Sequence, residues 1–172
     1  MRCLSAGGKS PRFSPPIYGG LGAILIGDVT VGEGCSFWYH TVVRGDLDSI
    51  WIGENTNLQE GCVVHTDPGI SVHIGSHVVV GHGAIIHGAT IEDEVLVGIR
   101  AVVLNRAHIG RGSIIGAGAV VLEDMEIPPF SLVVGVPAKI KTTLDPHTAD
   151  TIREHARSYR KNAHDLLVPF VP

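Results

Sequence analysis

Aromatic residues are scarce, 5% of 172. This excludes a core built on a few large ring anchors and leaves small branched side chains to fill it. Long apolar runs are missing too: nothing approaches the roughly 18 residues of a membrane span, and no membrane partner is expected. No basic run or patch occurs, and the formal charge is −4. That excludes the electrostatic footprint of a nucleic-acid binder. The three cysteines, Cys3, Cys35 and Cys62, are too few and too scattered for a disulfide framework. The opening segment MRCLSAGGKSPRF lacks the apolar stretch of a signal peptide, so a cytoplasmic location is expected. Gly8-Lys9-Ser10 ends like a phosphate loop, but Cys3 stands where that loop needs its first glycine.

What is present is a repeat of six. Bulky apolar residues recur at Leu25, Val31, Phe37 and Val43. After three inserted residues they resume at Ile52, Leu58 and Val64, and after four more at Ile74, Val80 and Ile86. One step of five leads to Ile91, Val97, Val103, Ile109, Ile115, Val121, Ile127 and Val133. A second column lies four residues after each, among them Val29, Cys35, Thr41, Thr56, Cys62, Val78, Ala84, Thr90, Val95, Ala101, Ala107, Ser113 and Ala119. These are small or β-branched. Neighbouring side chains on a strand point to opposite faces, so a large inward residue followed by a small one fits a narrow interior. Six residues per face and three faces make a triangular coil, stacked as a parallel β-solenoid over residues 21–137. A sandwich would place its turns every 8–12 residues instead.

Residues 1–20, rich in Pro, Ser and Gly, are expected to form an N-terminal arm or cap. Residues 138–172 are expected to hold a linker and a C-terminal α-helix. Asp145-Pro146 reads as an N-cap followed by proline at the first helical position. Ala149, Ile152, Ala156, Tyr159, Ala163 and Leu166 then form one apolar stripe, predicted to pack along a face of the solenoid on the same or a neighbouring subunit.

The frame also places histidines in relative space. Val43, Val64 and Ile86 are equivalent inward positions on three successive coils. The residues after them, Arg44, His65 and His87, therefore share one outward column. Parallel strands lie about 4.8 Å apart, and two imidazoles at that spacing can lean onto one metal at about 2.0–2.1 Å. His82, two residues after inward Val80, falls near a corner facing away from that column. It suits the third ligand of a neighbour packed around a threefold axis. Three imidazoles with an open fourth position describe a catalytic zinc site. His40, His73, His77, His108, His147, His155 and His164 have no such partnering and are read as ordinary polar residues.

Arg44-Gly45-Asp46, Asn57-Leu58-Gln59-Glu60-Gly61, His65, Gly81-His82 and His87 together resemble the gamma-class carbonic anhydrase family, over roughly residues 13–160. The resemblance implies that the coils wind left-handed. It implies a homotrimer with zinc, or iron or cobalt in its place, held between subunits by His65 and His87 of one chain and His82 of the next. Metal-bound hydroxide would convert CO₂ to bicarbonate. Gln59 would orient the metal-bound water, Arg44 and Asp46 would pair across the interface, and Asn57 would help hold or orient substrate. The sequence departs from the prototype in three places. Leu47 stands where the prototype has a carboxylate, the loop Thr66-Asp67-Pro68-Gly69 lacks a long acidic insertion, and Arg100 replaces a small corner residue. Asp67, Glu60 and Tyr159 are the groups left to shuttle protons. The alternatives are a hexapeptide-repeat acyltransferase with a histidine base and no metal, a metal-dependent thioesterase, and a non-catalytic trimeric scaffold that keeps the metal.

Overall fold

Every residue of the large inward series, from Leu25 to Val133, is 2% exposed or less in the computed structural model, which describes residues 1–170. Those side chains stack into one core running the length of a parallel solenoid of about seven turns. The small column is buried as well, with one exception. The five-residue step after Ile86 removes a corner residue, so Ala89 turns inward and Thr90 faces out.

Each coil runs through three short strands. The first face carries Val63–His65, Ile85–His87, Val102–Val103 and Val120–Val121. The second carries Val72–Ile74, Thr90–Ile91, His108–Ile109 and Glu126–Ile127. The longer strands Ile24–Val31 and Val42–Ile52 span both of these faces without a break. The third face carries Ser36–Phe37, Asn57–Leu58, Val79–Val80, Leu96–Val97 and Ile114–Ile115. Residues 2–19, expected as an arm or cap, form the outermost coil. Arg2–Leu4 pairs with Ile24–Ile26, Arg12–Phe13 with Thr30–Val31, and Tyr18–Gly19 with Ser36–Phe37.

The small inward residues do more than fill space. Hydroxyls and thiols there donate to corner carbonyls of the next coil: Thr41 Oγ1 to Gln59 O at 2.9 Å, Thr56 Oγ1 to Gly75 O at 2.8 Å, and Cys62 Sγ to Gly81 O at 3.2 Å. Buried polar groups need such partners. Burial pushes the Cys35 and Cys62 thiols up to about 12, so both stay protonated and unreactive.

The stretch expected as a linker contributes Lys139–Thr143, which pairs antiparallel with Ser131–Val134. Helix α1 spans Thr148–Leu166. Asp145 caps the turn before it, accepting from His147 N at 2.8 Å, so the helix starts later than Pro146. Ala149, Ile152, Ala156 and Ala163 are buried as predicted, but Leu167 rather than Leu166 closes the stripe. The helix covers the third face of its own chain. Ile152 and Ala156 lie on Val79, Leu96 and Ile114, and Ala163 lies on Tyr18 and Trp38. Polar clamps hold it down: Glu94, only 6% exposed, bonds Arg153 of the helix and Arg111, while Arg160 reaches Asn55 Oδ1 at 2.6 Å. Among the described residues no helix is long and apolar enough to cross a membrane.

Two predictions follow from the packing. A Cβ at Gly98 would lie 2.6 Å from Ala117 N and Ile115 O of the next coil. Gly98→Ala is therefore expected to cost about 1–3 kcal/mol, and an unchanged melting temperature would contradict the stacking. Burial of Glu94 works to raise its carboxyl, but the two guanidiniums outweigh it and hold the group below its ordinary value of 4.5. Its stabilisation is thus complete above that value and lost as pH falls through the lower folded value. Glu94→Gln should melt earlier near neutrality, and the gap to the native protein should narrow as pH falls below that ordinary value.

Candidate metal centre

His65 and His87 meet because their strands stack in register. Val64 lies over Ile86 in the core, and Arg44, His65 and His87 follow one another as outward neighbours. The two rings lie 5.0 Å apart between centroids, tilted by 59°. His65 Nδ1 faces His87 Nε2 at 3.0 Å. Two nitrogens on one tetrahedral cation at about 2.05 Å would be about 3.3 Å apart, so the pair already stands close to chelating distance.

The outer nitrogens are also held. His65 Nε2 lies 3.1 Å from Asp46 Oδ1, and Asp46 Oδ2 accepts from Arg44 Nη1 at 2.5 Å. Burial acts to raise the Asp46 carboxyl, but bonds from Arg44, its own backbone N–H and His65 prevail and hold it below the usual carboxylate range. Asp46 is then an ionised acceptor, so the proton of neutral His65 sits on Nε2. His87 Nδ1 lies 2.8 Å from Asn105 Oδ1, another acceptor, so its proton sits on Nδ1. The two nitrogens that face each other therefore both present lone pairs. At 3.0 Å that arrangement is repulsive unless a positive charge stands between them. The donor set fits a cation, and outer partners on each imidazole are what ligating histidines normally carry.

His82 belongs to a different corner, where the chain passes from the third face to the first. Its Nδ1 lies 2.6 Å from Glu60 Oε2, which leaves Nε2 free. Gln59, 4% exposed, precedes Glu60 on the coil above, and its Nε2 donates to Asn57 Oδ1 at 3.3 Å. Asn57 Nδ2 is buried with no partner among the described residues. The corner turns through left-handed residues, Gly61, Gly83 and Arg100 at φ +71°, +67° and +55°. Beside it runs an apolar groove of about 390 Å³, lined in part by Gln59, His82, Leu96, Ile114, His155 and Tyr159.

The candidates thus fall into two half-sites on one chain. Arg44, Asp46, His65 and His87 form the first, where Arg44 pairs with Asp46 of its own chain. Asn57, Gln59 and His82 form the second. Among the described residues no three His, Cys, Asp or Glu side chains gather closely enough to hold a cation. The remaining histidines stay apart from both half-sites, except that His155 lines the groove; His73, for instance, stacks on Trp51 at 4.3 Å. Asn105, which joins the first half-site, has no role in the sequence reading, and Asp67 and Glu60 stand there only as proton-shuttle candidates, not as partners of Asn105 and His82. Register would have found two of them: Asn105 lies 18 residues after His87, and Glu60 22 before His82, one coil away in each case.

Comparison with known proteins identifies the family. Residues 88–123 match the model of the bacterial transferase hexapeptide family, six repeats. A probable carbonic anhydrase of Methanocaldococcus jannaschii is 49% identical over 84% of this chain and 91% of its own length. The mitochondrial gamma carbonic anhydrase 2 of Arabidopsis thaliana is 34% identical over 88% of this chain, which spans 56% of that longer protein. The chain belongs to the gamma-class carbonic anhydrase family. In fold, this gamma-class member also superposes on a crystal structure described as a putative acetyltransferase of Bacillus cereus, with TM-score 0.92 and 31% identity over 95% of each chain.

Asp46→Asn removes the fixed acceptor on His65 while keeping its shape. Zinc affinity measured by chelator competition is expected to fall about 10–100-fold with the fold intact. Equal affinity would show that Asp46 does not hold the ligand.

Proposed function

We propose that this gamma-class protein catalyses reversible hydration of CO₂ to bicarbonate at a centre shared between subunits of a homotrimer. His65 and His87 of one chain and His82 of the next would hold a divalent cation: zinc, or iron or cobalt in its place. The observation that carries this reading is the pair of imidazole nitrogens facing each other at 3.0 Å, with the outer nitrogen of each ring set against an acceptor, Asp46 Oδ1 or Asn105 Oδ1. His82 supports it, with its free nitrogen at a separate corner of the same molecule.

A further feature supports assembly. The outward side of the first face carries an in-register apolar column, Ile24, Val42, Val63, Ile85, Val102 and Val120. Val63 and Ile85 are 37% and 38% exposed. The third face is covered by α1, and the second presents polar Thr90, His108 and Glu126. Only the first is an apolar face without a cover among the described residues, and it runs between the two half-sites. Packing it against another chain buries the stripe and brings unlike half-sites together.

A cation held there supplies Lewis acidity that lowers the pKa of water to about 7. The chain's own groups do the rest. Asn57 accepts from Gln59 Nε2 and so fixes the amide, leaving Gln59 Oε1 as the acceptor that orients a reacting water. Arg44 keeps Asp46 ionised, and Asp46 keeps the proton of His65 away from the centre. The apolar walls at Leu96 and Ile114 suit CO₂, which brings no hydrogen-bond donor. A groove of about 390 Å³ exceeds what CO₂ requires, and this favours hydrolysis of an acyl ester or thioester at the same centre as a second reading.

His82→Ala is expected to lose bound metal and CO₂ hydration while keeping the circular dichroism of the solenoid. Native metal content in that variant would refute the ligand assignment. Val63→Asp places a charge in the apolar stripe and is expected to dissociate the trimer in sedimentation. On one anaerobic preparation, stopped-flow CO₂ hydration that disappears on chelation supports the first reading. Hydrolysis of acyl esters without hydration would favour the second.

A further inference from the structure

The proton on His87 is decided two residues away. Asp67 Oδ2 lies 2.8 Å from Asn105 Nδ2, and Asn105 Oδ1 lies 2.8 Å from His87 Nδ1. A carboxylate oxygen only accepts, so the amide must turn its N–H₂ toward Asp67. That leaves the amide oxygen facing His87, and an amide oxygen also only accepts. Nδ1 of His87 must donate, and Nε2 must carry the lone pair. Reversing the amide would set two acceptors against each other at Asp67 and make His87 Nδ1 the acceptor, moving the ring proton to the nitrogen that faces His65.

We infer that Asp67 and Asn105 form a relay that locks the tautomer of His87, making them positioning residues for the cation. This inference rests on the proposed metal site and assigns it two further members. Both are held by the fold. Asn105 sits at the corner after Val103, one coil below His87, and Asp67 lies in the four-residue insertion after His65, closed by a bridge from Asp67 to Ile70. The insertion thus has a task apart from proton shuttling: its carboxylate reaches across 38 residues of sequence to fix an amide. His65 needs no such relay, since Asp46 contacts it directly. The two imidazoles are oriented by different means, a carboxylate on one and a carboxylate-keyed amide on the other.

The test uses the assembled protein and zinc alone, with affinity read by chelator competition and the His87 tautomer read from ¹⁵N shifts of the metal-free protein. Asn105→Ala is expected to bind zinc about 10–100-fold more weakly and to show a mixture of His87 tautomers, with an unchanged melting curve. Asp67→Asn alone frees the amide to reverse and should weaken binding and mix the tautomers. Combining Asp67→Asn with Asn105→Asp restores a donor-to-acceptor chain ending on an acceptor at His87, so affinity and a single tautomer should return. The relay is overturned if Asn105→Ala binds zinc like the native protein and keeps one tautomer, or if the double variant does no better than Asn105→Ala. Native protein that binds no zinc would refute the metal reading. The tautomer comparison still decides the relay in that case.

Discussion

Each coil seats its large side chain over that of the coil below, and the interior is too narrow to accept another register. Val64 over Ile86 in the core dictates His65 over His87 at the surface. A slip of one residue would turn the whole inward series to solvent, so the histidine pair inherits its placement from a core of about seven turns. The corners obey the same discipline. Thr41 and Cys62 bond the carbonyls of Gln59 and Gly81, so inward side chains fix the backbone that presents Gln59 and His82.

On this rigid frame the chemistry is electrostatic. Each candidate ligand has its outer nitrogen matched to an acceptor, Asp46 for His65, Asn105 for His87 and Glu60 for His82. The inner nitrogens are left unprotonated. A single chain then holds two lone pairs in conflict and a third with nothing to bind. In the proposed trimer a neighbouring copy of the chain would both bring the third imidazole and cover the apolar stripe of the first face.

Much of this was legible in the sequence, because a repeat of six converts position into space. The inward series, the parallel solenoid and the column of Arg44, His65 and His87 follow from spacing alone. The slip at Thr90 arose where one step shortened to five: the small column shifts to Ala89, and spacing cannot say which corner residue is dropped. The N-terminal coil was hidden because the turn at Gly7 and Gly8 breaks the six-residue rhythm. Asn105 escaped notice because asparagine is rarely a ligand and acts here only through a neighbouring coil. The choice of the third face by α1 depends on surface complementarity to Val79, Leu96 and Ile114, which helical periodicity does not encode.

Sharing of the site between chains is most directly tested by mixing two defective proteins. His65→Ala and His82→Ala chains, each empty of zinc alone, would be unfolded together, refolded as mixed assemblies and analysed for metal. Mixed assemblies should regain zinc, since His82 of the first variant can meet His65 and His87 of the second. Mixtures as empty as their parents, or full zinc in the His82→Ala protein alone, would contradict a centre built from two chains.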